Sequence, residues 1–405
     1  MKKKTKVLII FIIIIGILVS FFVIKKIQKD NLLLNNKNII KEIKSHYSNS
    51  VKVNKNTNLY NNKHKVVGSI YKNKKLVLKK QIINKNTKYF NIDNTNYYIK
   101  YNDVDKLNKK INLDTRYKSY IPFNENIITN KNITLYQNNK PVYKLNKSID
   151  KPIIRKDDNG SYIEFNNELY LVKKEDIEKT YNKNNTNLKE TVEIPVTTYH
   201  FIYLEGEVCG EVICHHENQI KEQFNYLKEN KYFTINTKEM EWFLDKKIRL
   251  PEKTILVTID DGARAEKFIP FLEKYKINAT LFLVTSWYSK DKFKSPYLEI
   301  ASHSDNLHEG GKCPGDQGSP LKCLDKNILL KDLKTSREKL DNTEAFCYPF
   351  FEFNDYSESV LKEAGFKTAY IGTMKKAKQG INKYRIPRIT IFNDTSLDDY
   401  IKYIK

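Results

Sequence analysis

The chain of 405 residues is long enough for two or three domains with cores of their own. Its net charge of +23 lies entirely in residues 1–190, because residues 191–405 carry equal numbers of basic and acidic side chains. A predicted membrane span near the N-terminus places this half outside the cytoplasm. There, a basic first half suits an anionic polymer or lipid headgroups and excludes nucleic acid as a partner. The alternative is that the lysine enrichment is compositional and serves no partner.

The first predicted element is a membrane span. Residues 7–24 contain no charged side chain and are long enough for one membrane-crossing helix. Four lysines precede this stretch, so the positive-inside rule places the N-terminus in the cytoplasm and the rest of the chain outside. Residues 1–25 are therefore predicted to form a Lys-rich cytoplasmic tip and the single-pass anchor of a cell-membrane protein. A cleaved signal peptide is the alternative, although no Ala-x-Ala-like site follows Ser20.

A weak internal repeat follows a polar stalk at residues 26–46. NTNLYNN from residue 56 is echoed by NITLYQNN from residue 132, and NYYIKYNDVDK from residue 96 is echoed by ELYLVKKEDIEK from residue 168. Short β-branched and aromatic runs between turns predict two small all-β modules, at 47–110 and 120–180. They resemble the Src-homology-three-like barrels of bacterial envelope proteins, which bind wall polymers or act as spacers. An anionic wall polymer is thus an expected partner of this half. Residues 181–190 are typical of a linker.

From Thr191 onward, predicted strands alternate with predicted helices. The strand segments are EIPVTTYHFI, TILVTI, ATLFLV, YLEIASH and EAFCYP, and helical patterns such as NILLKDLKTSREKL lie between them. This alternation predicts an α/β domain of parallel strands with crossover helices, and the length of residues 191–405 suits one (β/α) barrel. The chemistry of such barrels lies at the carboxyl ends of the strands.

Polar residues occupy these strand ends. They are His200, the adjacent Asp260 and Asp261, His303 with nearby His308, and Tyr348 with Pro349. Two His and one Asp, with water at an open fourth position, make a hydrolytic zinc site, and the second Asp is then free to act as a base. We therefore expect a divalent metal, with zinc preferred. The alternative is that the aspartates cap a helix and the histidines lie in loops.

Four of the five cysteines form close pairs, Cys209 with Cys214 and Cys313 with Cys323. In an exported domain these pairs predict two local disulfide bonds, which leave Cys347 alone. A zinc site built from four cysteines is the competing interpretation, but neither spacing is usual for paired ligands.

The motifs resemble those of the NodB-type polysaccharide deacetylases of carbohydrate esterase family four. TIDDG is similar to the first motif of the family, SHSDNLH to its metal-binding His-Ser/Thr-x-x-His motif, and YPFFEFN to its third, proline-containing motif. The resemblance runs from about Ile194 to the C-terminus and implies a distorted (β/α) barrel of the polysaccharide deacetylase type. The site residues that it implies are Asp260 as general base, Asp261, His303 and His308 as metal ligands, and the backbone N–H of Phe350 as oxyanion donor.

Two features depart from the usual family pattern. The two histidines are five residues apart rather than four, which we interpret as a longer loop. No His follows His308, where the family has its general acid. Some deacetylases of permuted order have a Tyr-His on the first strand, and TTYHFI resembles it, so His200 is the expected acid. Arg388 is the candidate for the arginine that orients the base, with a surface arginine as the alternative. His215 and His216 are interpreted as loop residues.

The resemblance implies a membrane-anchored, extracellular hydrolase that removes N-acetyl groups from a cell-envelope glycan such as peptidoglycan in the cell wall. An O-acetyl carbohydrate esterase on the same site is one alternative. A non-catalytic wall-binding protein is the other, and the presence of all four Asp and His residues of the site argues against it.

Overall fold

The computed structural model describes residues 20, 22–30, 50–84, 87–93 and 95–405. These residues form two compact units. The first contains the described part of Met1–Thr115 together with Ile127–Lys151 and Ile163–Thr180, and the second contains Arg116–Asn126, Pro152–Tyr162 and Tyr181–Lys405. The predicted stalk lies largely outside the described residues, and the domain boundaries drawn from the sequence stay predictions.

The membrane localisation predicted from the sequence requires a correction. In the described parts of the chain, no helix has both the length and the apolar character needed to cross a bilayer. Most of residues 7–24 lies outside the described residues, and the described helical segment 22–30 carries lysines at positions 25, 26 and 29. The single-pass anchor, the membrane as a partner and the extracellular placement that depended on them are therefore withdrawn.

Short antiparallel strands build the first unit. Those that lie wholly within it are Ser50–Val53, Thr57–Tyr60, Val66–Ile70, Lys75–Asn84, Thr87–Ile92, Tyr98–Lys100, Val104–Lys106, Ile133–Gln137, Lys140–Leu145 and Glu168–Lys173. The strands Glu125–Thr129, Asp150–Pro152, Gly160–Phe165 and Ile177–Asn182 each cross a boundary between the units.

The sequence repeat corresponds to a repeat of structure. Tyr98–Lys100 and Glu168–Lys173 are each followed by a three-residue 3-10 turn, Tyr101–Asp103 and Lys174–Asp176, and then by another strand. Antiparallel pairing of Tyr143 with Ile70 joins the two copies in one sheet. The likeness of each copy to a small Src-homology-three barrel stays a prediction.

A closed barrel of seven parallel strands forms the core of the second unit, as expected for a (β/α) barrel. The strands in order around the barrel are Val196–Tyr199, Thr254–Asp261, Ala279–Leu283, Leu298–Ser302, Ala345–Cys347, Thr368–Gly372 and Ile386–Thr390, and the last pairs with the first. Phe233–Ile235 adds to the start of the second strand of this series. The remaining short strands of the unit are Arg155–Asp157, Glu193–Ile194, Phe201–Tyr203, Cys214–His216 and Ala377–Lys378.

Helices lie between the barrel strands and after the last of them. They are Glu217–Glu229, Thr237–Leu244, Ile269–Tyr275, Lys326–Lys339, Asp355–Ala364 and Leu397–Ile404, with 3-10 turns at Arg116–Ser119, Ala265–Phe268, Lys290–Lys292, Pro320–Lys322 and Pro349–Phe351. Their ends follow from local chemistry. Asn236 and Glu239 form a reciprocal capping box at the start of Thr237–Leu244, and Gly365, with a φ of +92°, ends Asp355–Ala364. Because all barrel strands run in parallel, their carboxyl ends meet at one face.

Candidate active site

Two adjacent carboxylates end a fully buried strand of the barrel. Side chains of neighbouring strand residues point to opposite faces, so Asp260 and Asp261 reach different partners. Asp261 has a φ of +71° and Gly262 a φ of +107°, which turns the chain out of the strand. A Cβ at Gly262 would lie 2.5 Å from Cδ1 of Leu283, so the turn requires glycine.

Asp260 forms a buried ion pair with Arg388 of the strand Ile386–Thr390. Nη1 of Arg388 donates to Oδ1 and Nη2 donates to Oδ2, both at 2.8 Å, and the two side chains are 1% and 0% exposed. Burial alone would raise the pKa of Asp260, but the facing guanidinium brings that pKa below its usual value. The pair thus fixes both the charge and the orientation of the carboxylate.

Cys347, for which the sequence suggested no role, lies against this pair. Its Sγ is 2.8 Å from Nη2 of Arg388 and 3.5 Å from Oδ2 of Asp260. Burial raises the pKa of the thiol well above its usual value, so Cys347 stays neutral. The fold alone reveals this contact, since Cys347 and Asp260 are 87 residues apart in the chain.

Asp261 faces both histidines of the SHSDNLH motif. Its Oδ1 lies 3.2 Å from Nε2 of His303 and 3.2 Å from Nε2 of His308. Neither approach has hydrogen bond geometry, and this buried oxygen has no hydrogen bond partner within the described residues. One carboxylate oxygen and two ring nitrogens therefore converge on one point.

A hydrogen bond to the backbone orients the ring of His303. Its Nδ1 lies 2.8 Å from the backbone oxygen of Cys347, an acceptor, so Nδ1 carries the hydrogen and Nε2 presents a lone pair toward Asp261. His308 is held by packing, with ring centroids 5.1 Å from Trp287 and 4.5 Å from Phe350. Both imidazoles thus direct Nε2 toward the same carboxylate oxygen of Asp261.

The loop between the two histidines is anchored by Asp332, on helix Lys326–Lys339. The carboxylate of Asp332 accepts hydrogen bonds from the amides of Asp305 and Asn306 at 2.8 and 2.7 Å. Burial raises the pKa of Asp332 to about 6. Ser304 starts the loop with a φ of +80°. The five-residue spacing is therefore accommodated by a hydrogen-bonded loop, whose anchor carries no recognisable sequence signal.

A second group of ligand-type side chains, Asp260, His303 and Cys347, also lies close together. In this group both oxygens of Asp260 are already bonded to Arg388, and the thiol of Cys347 is neutral. The group of Asp261, His303 and His308 offers an unpartnered oxygen and oriented nitrogens, so it fits a divalent cation better.

His200 follows the strand Val196–Tyr199 and lies beside the first carboxylate. Its Nε2 is 3.9 Å from Oδ2 of Asp260. Burial lowers the pKa of His200, which keeps the ring neutral near pH 7. Its buried Nδ1 has no hydrogen bond partner in the part of the chain that the structure describes.

The third motif covers the site with two aromatic residues in an unusual conformation. Phe350 and Phe351 both have a φ of +59°, in the left-handed region that bulky residues rarely adopt. The ring of Phe350 packs on His308, and the guanidinium carbon of Arg388 lies 5.0 Å from the ring centroid of Phe351. Such strain is typical of functional sites. The backbone N–H of Phe350 as an oxyanion donor stays a prediction.

Disulfide bonds join Cys209 to Cys214 and Cys313 to Cys323, as predicted. Cys347 is free and buried.

The interpretation of His215 and His216 as loop residues was wrong. Both lie on the strand Cys214–His216, which pairs with Phe201–Tyr203. His215 is fully buried, and its Nδ1 is 3.1 Å from Oε1 of Gln219. Burial lowers the pKa of His215 to about 4, so it is a neutral core residue.

The part of the chain that carries most of these residues matches a known family. Residues 247–369, which include both aspartates, both histidines and the third motif, match the family model described as polysaccharide deacetylase. The chain contains a polysaccharide deacetylase domain. Polysaccharide N-deacetylases hydrolyse amide bonds, so the predicted enzyme class is confirmed.

The deacetylase domain has curated relatives in staphylococci. The poly-beta-1,6-N-acetyl-D-glucosamine N-deacetylase of Staphylococcus aureus is 27% identical over 200 residues, which cover 44% of this chain and 68% of that protein. The protein of the same name from Staphylococcus epidermidis is 26% identical over 197 residues, with the same two coverages. A solved structure of a de-N-acetylase from Aggregatibacter actinomycetemcomitans is 23% identical, covers 52% of this chain and 99% of that one, and has a TM-score of 0.46.

Proposed function

We propose that the deacetylase domain hydrolyses the N-acetyl groups of a polymer of N-acetylglucosamine. The observation that carries the proposal is the convergence of Asp261, His303 and His308 beside an ionised Asp260. The names of the staphylococcal relatives support a β-1,6-linked polymer. Peptidoglycan, the glycan expected from the sequence, is the alternative substrate.

Asp261, His303 and His308 would hold a divalent cation, for which we propose zinc. Two imidazole nitrogens and one carboxylate oxygen are a ligand set of catalytic zinc sites. Two observations support this assignment. Oδ1 of Asp261 has no hydrogen bond partner within the described residues, and Nδ1 of His303 is already hydrogen-bonded to the backbone oxygen of Cys347. A bound cation supplies Lewis-acid polarisation of the acetamide carbonyl.

Asp260 acts as the general base in the proposed reaction. Arg388 keeps it ionised and aims its carboxylate, so Oδ2 can take a proton from the attacking water while the water oxygen bonds to the acetamide carbon. The backbone N–H of Phe350 is proposed to donate to the oxygen on which negative charge develops.

His200 completes the proton transfer. Because its ring is neutral and its Nε2 lies 3.9 Å from Oδ2 of Asp260, a small movement allows Nε2 to accept the proton taken from water. His200 then gives this proton to the sugar nitrogen as the C–N bond breaks, and acetate and a free amine leave.

The test is acetyl release by the purified full chain from three substrates: β-1,6-linked N-acetylglucosamine oligomers, peptidoglycan fragments and an O-acetylated glycan. Mass spectrometry should detect free amines on the β-1,6 oligomers, and no product with Asp260→Asn. The exposed Asp158→Asn serves as the matched control and should behave as wild type. Release from the O-acetylated glycan alone would support the esterase alternative, and no release from any substrate would support a wall-binding protein.

A further inference from the structure

One large aromatic side chain near the site packs on a histidine and is still about half exposed. Trp287 follows the strand Ala279–Leu283, is 46% exposed and lies with its ring centroid 5.1 Å from that of His308. Tryptophan gains much by burial and is enriched at binding surfaces, so an indole left half open beside a reaction centre is a candidate contact for a ligand.

A cavity of about 380 Å³ opens beside this ring. Its lining includes the hydroxyl residues Thr285, Ser286 and Ser289, the ring of Tyr288, and three charged residues, Lys290, Asp291 and Lys339. The volume lies in the range of small-molecule binding pockets. Apolar ring faces with hydroxyl and ammonium groups around them match a pyranose, which has apolar faces and a polar edge.

The charges of the cavity are already compensated. Nζ of Lys290 lies 2.5 Å from Oδ1 of Asp341, and Nζ of Lys339 lies 2.6 Å from Oδ1 of Asp305. Oδ1 of Asp291 lies 3.3 Å from Nζ of Lys294. An anionic ligand would have to compete with these carboxylates, so an uncharged, hydroxyl-rich ligand fits the cavity better.

The cavity is tied to the loop that delivers His308. The amides of Thr285 and Ser286 donate to the backbone oxygens of Ser304 and Asp305 at 3.2 and 3.0 Å. Oγ1 of Thr285 also donates to Oδ1 of Asp305 at 2.5 Å. A ligand bound in the cavity is therefore held at a fixed position relative to His308.

We propose that this cavity is a sugar-binding subsite, in which Trp287 stacks on the sugar next to the residue being deacetylated. The inference rests on the proposed function and deepens it, because it makes the substrate an oligomer rather than a single acetylated sugar. Covering about half of the exposed indole, as stacking on one face does, contributes roughly tenfold to the affinity.

The kinetic test compares Trp287→Ala and Trp287→Phe with Trp242→Phe as control. Trp242 is the other of the two tryptophans and stacks with Arg155 at 4.2 Å, on the helix Thr237–Leu244. For Trp287→Ala, we expect KM for a β-1,6 N-acetylglucosamine pentamer to rise about tenfold while kcat changes far less. In Trp287→Ala, the ratio of kcat/KM for the pentamer to kcat/KM for 4-nitrophenyl acetate should also fall about tenfold. The ratio should fall less in Trp287→Phe and stay unchanged in the control.

Fluorescence tests binding without turnover. In the double variant Asp260→Asn and Trp242→Phe, Trp287 is the sole tryptophan, so selective excitation of the indole reports on Trp287, and the pentamer should shift its emission. In Asp260→Asn and Trp287→Phe, the remaining Trp242 should not respond. An unchanged substrate ratio, or an emission change from Trp242 alone, would overturn the subsite. If the wild-type chain releases no acetate from any glycan, the proposed function fails instead, so the two failures are distinguishable.

Discussion

Replacing Arg388 with methionine should leave Asp260 as a buried charge without its partner. Arg388 is fully buried and gives Asp260 two hydrogen bonds of 2.8 Å. Removing one member of a buried ion pair costs about 3–5 kcal/mol of unfolding free energy, since the other charge stays desolvated and unpaired. We expect a loss of this size in Arg388→Met.

The same variant should change the pH dependence in a defined direction. In the wild-type protein, the pKa of Asp260 lies below that of an unfolded aspartate, so the stabilisation is present above about pH 4 and is lost as the pH falls below it. Without Arg388, burial raises the pKa of Asp260. Stability should then decrease as the pH rises above about 4, and the acid limb of kcat/KM should move to higher pH because protonated Asp260 cannot act as base.

Urea unfolding and kcat/KM profiles between about pH 5 and 8 measure both effects. Arg385→Met is the matched control, because Arg385 pairs with Asp355 and Glu358 but is 36% exposed. It should cost no more than about 1 kcal/mol and leave the acid limb in place. If Arg388→Met behaved like this control, the assignment of Arg388 as the residue that orients the base would be refuted.

Three further predictions concern other parts of the deacetylase domain. His200→Ala should lower turnover on an N-acetylglucosamine oligomer by roughly 10²- to 10⁴-fold but affect 4-nitrophenyl acetate much less, because that leaving group needs no proton; equal losses on both would exclude the acid role. The pKa of Asp332, about 6, exceeds that of an unfolded aspartate, so the unfolding free energy should decrease as the pH rises from about 4 to 6. Urea unfolding of Asp332→Asn should lack this pH dependence. Replacing both Cys313 and Cys323 with serine should lower the unfolding free energy by about 2–3 kcal/mol, and unchanged urea unfolding would contradict this.

The strand ends could be predicted because their signals are local. A run of β-branched residues that stops at Asp260 and Asp261 predicts a buried strand followed by a polar turn, and the structure has this arrangement. The two disulfide pairings could be predicted for the same reason, because only a short loop separates the two cysteines of each pair.

Contacts between distant segments could not be derived from residue patterns, and Arg388 was a candidate only through the family resemblance. Arg388 meets Asp260 across 128 residues, and Cys347 meets it across 87. The amide bonds of Asp332 likewise depend on the packing of a helix against a loop. His215 was misjudged because no sequence pattern marks Cys214–His216 as a strand, whereas pairing with Phe201–Tyr203 places His215 in the core.

The charge of the first half gave less information than the motifs of the second. An excess of lysine is consistent with an anionic wall polymer as partner, which stays a prediction, but it is also consistent with simple solvation of an all-β surface. Apolar length alone likewise led to the membrane prediction that the described residues contradict.

The central claim is that the two adjacent aspartates have different roles, one toward a metal and one toward a proton. Metal analysis of the purified full chain, measured together with acetate release, tests it most directly. We expect one divalent cation per chain in the wild type and in Asp260→Asn, which should be inactive, and loss of both metal and activity in Asp261→Ala and His303→Ala. Stoichiometric metal in Asp261→Ala, or its loss in Asp260→Asn, would contradict the account.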